Sequence, residues 1–317
     1  MSILNDGLFI ERLHVELTSR CNFRCITCRH GFESFGEDLS DEVCNMLINK
    51  IIPNLKEIEL QGTGESLLCK NFNKIFHAAK VNNCRINLIT NASLLNQELI
   101  KEFVESNMQL VISLDGANES TFRKHRPVGD FNEIIANLNS IKKYKDSVRN
   151  GKFSIAINTV ITKLNYIELN QMIDLASLLH IDFVFASEVR ECMPDKKIWE
   201  ELRLDNHDIR DKVMKCIKQT EQYAKHKNIG FYFNPYKINM VRKKDICISP
   251  WKHLYLYASG DISICCELNA KFGNINKVSI IDVLNGERLN SFRNNMLLRE
   301  YDNRCLRCCL PWGIMNE

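Results

Sequence analysis

From about residue 13 to residue 190 the chain alternates two kinds of hydrophobic pattern. Short β-rich runs at residues 13–17, 57–61, 86–90, 110–114, 154–160 and 183–186 read as strands. Between them, over residues 41–52, 73–81, 97–106, 131–144 and 167–179, apolar positions recur near the 3.6-residue period, which predicts helices. Repeated strand–helix alternation argues for a parallel sheet, because parallel neighbours need a crossover connection. The expected fold class is α/β: a partial (β/α)6 TIM-like barrel with a small C-terminal β-hairpin/helix extension. A polar helix over roughly residues 205–227 leads into that extension, where residues 254–257, a turn at Ala258-Ser259-Gly260-Asp261 and residues 262–265 form a hairpin pattern. The expected domains are 1–228 for the barrel and 229–317 for the extension.

Composition narrows the function classes. A chain of 317 residues, 45% hydrophobic and 26% charged, has room for a large core. A net charge of +3 makes no electrostatic case for nucleic acid. Arg242-Lys243-Lys244 reads as a solvated loop. No apolar run reaches the roughly 18 residues of a membrane span, and the N-terminus lacks a signal-peptide core, so neither membrane nor export is expected and the location implied is cytoplasmic. The 14 cysteines of an unexported chain are a poor disulfide framework and suit metal ligation better. Cys44, Cys69, Cys84 and Cys216 stand in helix-like or strand-edge contexts and read as structural.

The cysteines with a pattern come just after the first strand: Cys21, Cys25 and Cys28 follow a C-x3-C-x2-C spacing on one short loop. An ordinary iron–sulfur cubane takes four cysteines, one per iron, so three leave one iron open. Two plainer readings compete. The three thiols with His30 make a Cys3His zinc set, or they are unrelated buried thiols. Barrel enzymes keep their chemistry at the C-terminal ends of the strands, and other polar groups fall on that same rim. Gly62-Thr63-Gly64-Glu65 follows the second strand, Asn91 the third, Ser113 and Asp115 the fourth, and Glu188 and Arg190 the sixth. Gly62 and Gly64 permit close backbone approach. With Leu67 at the third-glycine position, the run is not a dinucleotide fingerprint.

With Cys21, Cys25 and Cys28, the Gly62-Thr63-Gly64-Glu65 run and Ser113-Leu114-Asp115-Gly116 in this order, the chain resembles radical S-adenosylmethionine (SAM) enzymes over about residues 10–190. The resemblance implies that the three thiolates hold a [4Fe-4S] cluster whose fourth iron is chelated by SAM. One electron then cleaves SAM to methionine and a 5′-deoxyadenosyl radical, which takes a hydrogen atom from substrate. It implies that Gly62, Gly64 and Glu65 meet the methionyl amino group, and that Ser113 and Arg126 are further SAM contacts, Arg126 towards the carboxylate. Where the family usually has an aromatic residue before the third cysteine, this chain has Thr27.

The C-terminal cysteines resemble the abbreviated SPASM, or twitch, extension. Cys247, Cys265, Cys305 and Cys308 would close one auxiliary [4Fe-4S] cluster, with zinc on the same sulfurs as the alternative. Cys266 and Cys309 are spare. Cys266 is expected on the opposite strand face from Cys265, and is a candidate hydrogen-atom donor, with Cys192 a lesser one. The implied activity is an oxidoreductase or epimerase acting on a sugar-like or polyol small molecule. A peptide-modifying maturase is the close alternative, although strand one starts too early for a separate leader-binding domain before it. A two-site zinc interaction module is the non-enzymatic rival. The partners implied are a small-molecule or peptide substrate and an electron donor such as flavodoxin or ferredoxin. Glu188 and Arg190 are weaker candidates for substrate contact.

Overall fold

The computed structural model describes residues 10–28, 36–148, 150–190, 195–205, 207–235, 246–266, 268, 270–306 and 314–315. His30, Cys192, Arg242-Lys243-Lys244, Cys308 and Cys309 lie outside the described residues. The strands are β1 (Arg12–Val15), β2 (Glu57–Leu60), β3 (Arg85–Thr90), β4 (Met108–Ser113), β5 (Phe153–Ile161), β6 (Phe183–Glu188), β7 (Gly230–Asn234), β8 (Ile246–Cys247), β9 (His253–Leu256), β10 (Asp261–Ser263), β11 (Gly273–Asn274) and β12 (Ile314–Met315). The helices are α1 (Asp41–Met46), α2 (Phe72–Val81), α3 (Gln97–Val104), α4 (Glu119–His125), α5 (Phe131–Val148), α6 (Leu169–Leu178), α7 (Lys196–Leu202), α8 (His207–His226), α9 (Ser249–Lys252), α10 (Ile280–Asn285), α11 (Glu287–Leu297) and α12 (Asn303–Leu306). Strands and helices alternate from β1 to β6, which makes the fold an α/β partial barrel with a C-terminal extension.

The chain divides into two compact units, residues 1–20, 36–87 and 237–317 in the first and residues 21–35 and 88–236 in the second. In the first, β1 pairs parallel with β2 in the register Arg12↔Glu57 to Val15↔Leu60. On its other side β1 pairs parallel with β9, Arg12↔His253 to Val15↔Leu256. Then β9 turns back antiparallel onto β10, and β10 onto β11. In the second unit β4, β5, β6 and β7 form a continuous parallel ladder.

Period-2 burial explains why β1 and β2 are strands. Leu13, Val15, Ile58 and Leu60 are fully buried apolar residues on one face, while His14, Glu16 and Glu59 are buried on the other. Burial on both faces is normal for parallel strands; the polar character of one face is not.

Several elements differ from the sequence expectation. The helix expected over residues 41–52 keeps α-geometry only to Met46, continues as a π-turn at Leu47–Ile51 and ends in a 3-10 turn at Ile52–Asn54, where Pro53 stops the α-pattern. Helix α4 was not foreseen. Asn118 caps it by accepting from Thr121 N–H, and it stops at Arg126, directly before Pro127. Strand β10 ends two residues short of Cys265, because Ser263 Oγ donates to both Cys265 O and Leu268 O at 3.2 Å and turns the chain. Cys265 and Cys266 therefore lie beyond the strand and not on its opposite faces.

Candidate active site

The cysteine loop is fixed at several points within the second unit. Phe23 N–H donates to Cys21 Sγ at 3.4 Å, and Cys28 N–H to Cys25 O at 3.1 Å. Asn22 lies between the first two cysteines. Its Nδ2 donates to Ser93 Oγ at 2.8 Å and its Oδ1 accepts from Asn91 Nδ2 at 2.8 Å. Asn91 Oδ1 closes the triangle by accepting from Ser93 N–H at 3.0 Å. The loop is thereby tied to the residues after β3. Ile26 N–H reaches His125 O at 2.9 Å, and the Ile26 side chain packs against Val189, Trp199 and Leu202. Asn22 and Ser93 escaped the sequence reading, although Asn and Ser beside a cysteine loop are ordinary loop-clamping types.

The end of α4 brings a cation to this loop. Arg126 is 7% exposed, and its Nε and Nη2 both reach Asp115 Oδ2, at 2.9 and 2.8 Å. Asp115 Oδ1 accepts from Val160 N–H at 2.7 Å, and Asp115 O from Asn165 Nδ2 at 2.9 Å. Burial alone would lower the Arg126 pKa, but Asp115 and then Cys25 outweigh it and raise it, so the guanidinium stays charged. Arg126, expected as a SAM carboxylate contact, is held beside Cys25 with two of its three nitrogens on Asp115. Ser113 ends β4, half-buried, opposite Asn158.

The three thiols influence one another. Burial first, then Asp115, Cys28 and Cys21, pushes the Cys25 thiol up to about 12, with Arg126 pulling the other way. A thiol in that range is protonated at neutral pH unless a metal takes the sulfur, and a bound metal deprotonates it outright. Half-buried thiols on one loop, one of them receiving a backbone N–H, fit an iron–sulfur donor set. Among the described residues no three Cys, His, Asp or Glu side chains close around a single metal-ion position.

In the first unit the glycine turn is locked against the residues leading to the cysteine loop. A Cβ on Gly64 would lie 2.3 Å from Thr18 O and 2.5 Å from Arg20 O, and one on Gly62 would lie 2.4 Å from Glu16 Cγ. Glu65 N–H donates to Arg20 O at 2.8 Å. Thr63 N–H and Oγ1 donate to Glu16 Oε2 at 2.7 and 2.9 Å, while Glu16 Oε1 accepts from Ala258 N–H at 3.3 Å. The close approach expected of Gly62 and Gly64 is thus made to protein. The buried Glu65 carboxylate accepts Leu67 N–H at 3.3 Å. Glu16 went unread in the sequence, although Arg12-x-His14-x-Glu16 is a strand face carrying polar groups at every other position.

Of the auxiliary-cluster candidates, Cys247 ends β8 opposite Ile314, Cys305 lies in α12, and Cys265 follows β10; all three are half-buried, and Cys266 is exposed. Cys44, Cys69 and Cys84 are buried, and Cys216 Sγ donates to Tyr166 O at 3.0 Å, as structural thiols do. The Glu188 carboxylate accepts Arg210 Nη1 at both oxygens, 2.8 Å each.

Comparison with known proteins agrees with this chemistry. The family model of the radical SAM superfamily matches residues 15–176, about half the chain, and that of an iron–sulfur cluster-binding domain, SPASM, matches residues 247–309. A tungsten-containing aldehyde ferredoxin oxidoreductase cofactor-modifying protein of Pyrococcus furiosus is 26% identical over 90% of this chain and 83% of its own length. A GTP 3′,8-cyclase of Clostridium botulinum is 27% identical over 64% of each chain. Among solved structures, Streptococcus suis SuiB bound to S-adenosylmethionine superposes with TM-score 0.69 at 16% identity, covering 96% of this chain and 72% of its own. The anSMEcpe structure with AdoMet and the Cp18Cys peptide gives 0.67 at 16%, covering 93% and 87%. At these identities the likeness is one of fold. SAM and [4Fe-4S] clusters are the cofactors. By these matches and by its cysteine loop, the chain belongs to the radical SAM superfamily and carries a SPASM-type iron–sulfur extension.

Proposed function

We propose that this enzyme oxidises or epimerises a hydroxyl-bearing small molecule, sugar-like or polyol in character, by removing a hydrogen atom from carbon. The observation that carries the reading is the polar face of β1, β2 and β9, where His14, Glu16, Glu59 and Tyr255 are all buried. Side chains of this kind match hydroxyl groups, which both donate and accept. The cofactor-modifying relative, which this chain matches over 90% of its length, favours a small molecule.

When bound, SAM and the reduced cluster supply the hydrogen-abstracting radical. Cys21, Cys25 and Cys28 would hold that cluster on a loop clamped by Asn22, Asn91 and Ser93. Arg126, oriented by Asp115, supplies positive charge beside Cys25 and would meet the SAM carboxylate, with Ser113, Gly62, Gly64 and Glu65 as the other SAM contacts. Cys247, Cys265, Cys305 and Cys308 would hold the auxiliary cluster, within a module bounded at residues 229–317. A flavodoxin or ferredoxin would deliver the electron. If the reaction is an epimerisation, the exposed Cys266 returns the hydrogen atom. A second reading, modification of a peptide, is favoured by the fold shared with SuiB solved with its precursor peptide SuiA.

The test is anaerobic reconstitution with iron and sulfide, followed by SAM, a reductant and deuterated polyols. Methionine release and deuterium in 5′-deoxyadenosine are expected, and Cys25→Ala should abolish both. Removing iron with a chelator should do the same. Cys266→Ala should still form 5′-deoxyadenosine while losing an epimerised product. Reconstituted protein that never cleaves SAM would sink the reading, and deuterium arriving only from a peptide would replace it with the second one.

A further inference from the structure

A buried carboxyl group and a buried imidazole stand side by side in the first unit, apart from the residues named above for SAM and the clusters. His14 on β1 and Glu59 on β2 are register partners, 4% and 6% exposed. His14 Nδ1 lies 3.3 Å from Glu59 Oε2.

The neighbours fix how many protons this pair holds. His14 Nε2 is 3.1 Å from Gln61 O, a carbonyl that can only accept, so Nε2 carries the ring hydrogen. Nδ1 is then a lone pair 3.3 Å from a carboxyl oxygen. Two buried lone-pair atoms this close repel each other unless one of the groups holds a proton. An imidazolium is disfavoured, because burial, helped by His253, pulls the His14 pKa down to about 3. Glu59 is pushed up to about 7 by burial, with Glu57 adding to the push and Arg12 and Gln61 opposing it.

The surroundings do not neutralise a Glu59 carboxylate. Arg12 Nε stays 3.8 Å from Glu59 Oε1, while its Nη2 contacts Glu57 Oε2 at 2.9 Å. Gln61 Nε2 donates to Glu59 Oε2 at 3.1 Å, a single neutral donor. From β9, the His253 ring stands 6.2 Å from that of His14, and the Tyr255 ring 4.2 Å. His253 Nδ1 pairs with Ile264 O at 2.9 Å, whereas its buried Nε2 has no hydrogen-bond partner among the described residues. Glu16, Cys265 and Cys266 act electrostatically on Tyr255. Tyr255 therefore adjoins His14 on one side and lies near Glu16 and the cysteine pair.

We propose that Glu59 and His14 form a proton-storing dyad, in which Glu59 holds one proton hydrogen-bonded to His14 Nδ1 and exchanges it with the polar interior through His14. Releasing that proton leaves a carboxylate and a neutral imidazole; taking one up from that state restores the carboxylic acid, with the imidazole neutral throughout. No bond to carbon forms or breaks in either direction. When a hydroxyl-bearing carbon that has lost its hydrogen atom becomes a carbonyl, its remaining electron would pass to the auxiliary cluster, and the dyad in its proton-released form, carboxylate and neutral imidazole, supplies the place for the proton that the hydroxyl group loses. That use in turnover rests on the function proposed above; the stored proton does not.

Infrared spectroscopy of the full chain tests the stored proton. On the acid side of about 7, the wild type should show the carbonyl stretch of a protonated carboxylic acid, shifted in heavy water and fading as pH rises through that value. The band should be missing from Glu59→Gln. Carbon-13-labelled glutamate in the wild type makes the same measurement without a variant, and a spectrum with no such band overturns the proposal. In turnover, Glu59→Gln should displace the pH profile, and an unmoved profile overturns the exchange role. A wild type unable to cleave SAM counts against the function proposed above, and leaves the infrared result standing.

Discussion

Each unit of this protein buries a charge-bearing pair, and the two pairs end in opposite states. In the second unit Arg126 and Asp115 are 7% and 0% exposed and form an ion pair. In the first, His14 and Glu59 are 4% and 6% exposed, and burial pushes Glu59 up to about 7 and His14 down to about 3, so that both are neutral between those values. Burial is alike, so burial does not choose between them. The donors do. The Asp115 carboxylate receives two guanidinium nitrogens and the Val160 N–H within 2.9 Å. Glu59 receives one side-chain amide at 3.1 Å, and its nearest guanidinium nitrogen stays 3.8 Å away. Desolvation penalises any buried charge; a full set of short donors offsets the penalty, and a partial set leaves protonation as the cheaper state.

The largest effect should come from breaking the charged pair. Arg126→Met leaves the buried Asp115 carboxylate with the Val160 N–H alone, an uncompensated charge that costs about 3–5 kcal/mol. Urea denaturation of the iron-free chain measures it. A loss below about 1 kcal/mol, the range of exposed pairs, would show that Asp115 is not held as an anion and would erase the contrast. Arg126→Lys should recover part of the loss, because it restores the charge but not the fork.

A smaller effect tests whether the first unit is tolerant everywhere. Gly64→Ala places a Cβ 2.3 Å from Thr18 O and 2.5 Å from Arg20 O. Both contacts are backbone, so the turn must move, at a cost of about 1–3 kcal/mol. The same urea measurement reads it, and an unchanged midpoint would mean that the turn does not sit on the Thr18–Arg20 backbone.

Glu59→Gln should cost less still on the acid side of about 7, where it replaces a neutral acid by a neutral amide of the same shape. Its signature is a pH slope. The folded Glu59 titrates at about 7 against an ordinary value of 4.5, so between those values the folded state holds a proton that the unfolded chain has lost. Stability from this group is full at low pH and declines as pH rises through the window. His14, pulled down to about 3, contributes the opposite slope, losing stability as pH falls below 6.5, in both proteins. The melting temperature of Glu59→Gln should therefore gain on the wild type from about pH 4.5 to about 7; a constant difference would put Glu59 among ordinary carboxylates.

Much of the charged region was legible in the sequence, and little of the neutral one. In the second unit the cysteine loop and Asp115 sit in motifs whose spacing carries chemistry, and Arg126 was named beside them; in the first, the Gly62-Thr63-Gly64-Glu65 turn is the exception. Strands β1 to β6 followed from hydrophobic period, because an apolar run bounded by turns has few other uses. What the period cannot give is a partner. Leu254 and Leu256 alternate with His253 and Tyr255 whether β9 pairs with its hairpin mate or, as it also does, with β1. Without that pairing, Tyr255 has no reason to lie on His14. His14 and Glu59 are likewise silent alone, since polar residues at alternate strand positions ordinarily describe a face turned to water. Helix α4 was missed because it is one short element of seven residues, and its capping Asn118 and terminating Pro127 are signals without an apolar stripe between them.

The smallest effect belongs to a third pair, which matches the first in distance and differs in exposure. Lys70 Nζ stands 2.8 Å from Asp41 Oδ2, with side chains 68% and 52% exposed. The contact length equals that of Arg126 Nη2 to Asp115 Oδ2, also 2.8 Å. If distance governed the value of an ion pair, Lys70→Met and Arg126→Met would behave alike. In water each partner of the exposed pair keeps its hydration, the attraction is screened, and the long Lys70 side chain surrenders rotamer freedom to reach Asp41. Lys70→Met should leave the urea midpoint within experimental scatter, and added salt should not separate it from the wild type. A clear loss that salt abolishes would show that charge proximity alone stabilises this fold, and the donor-count explanation for Asp115 and Glu59 would fail with it.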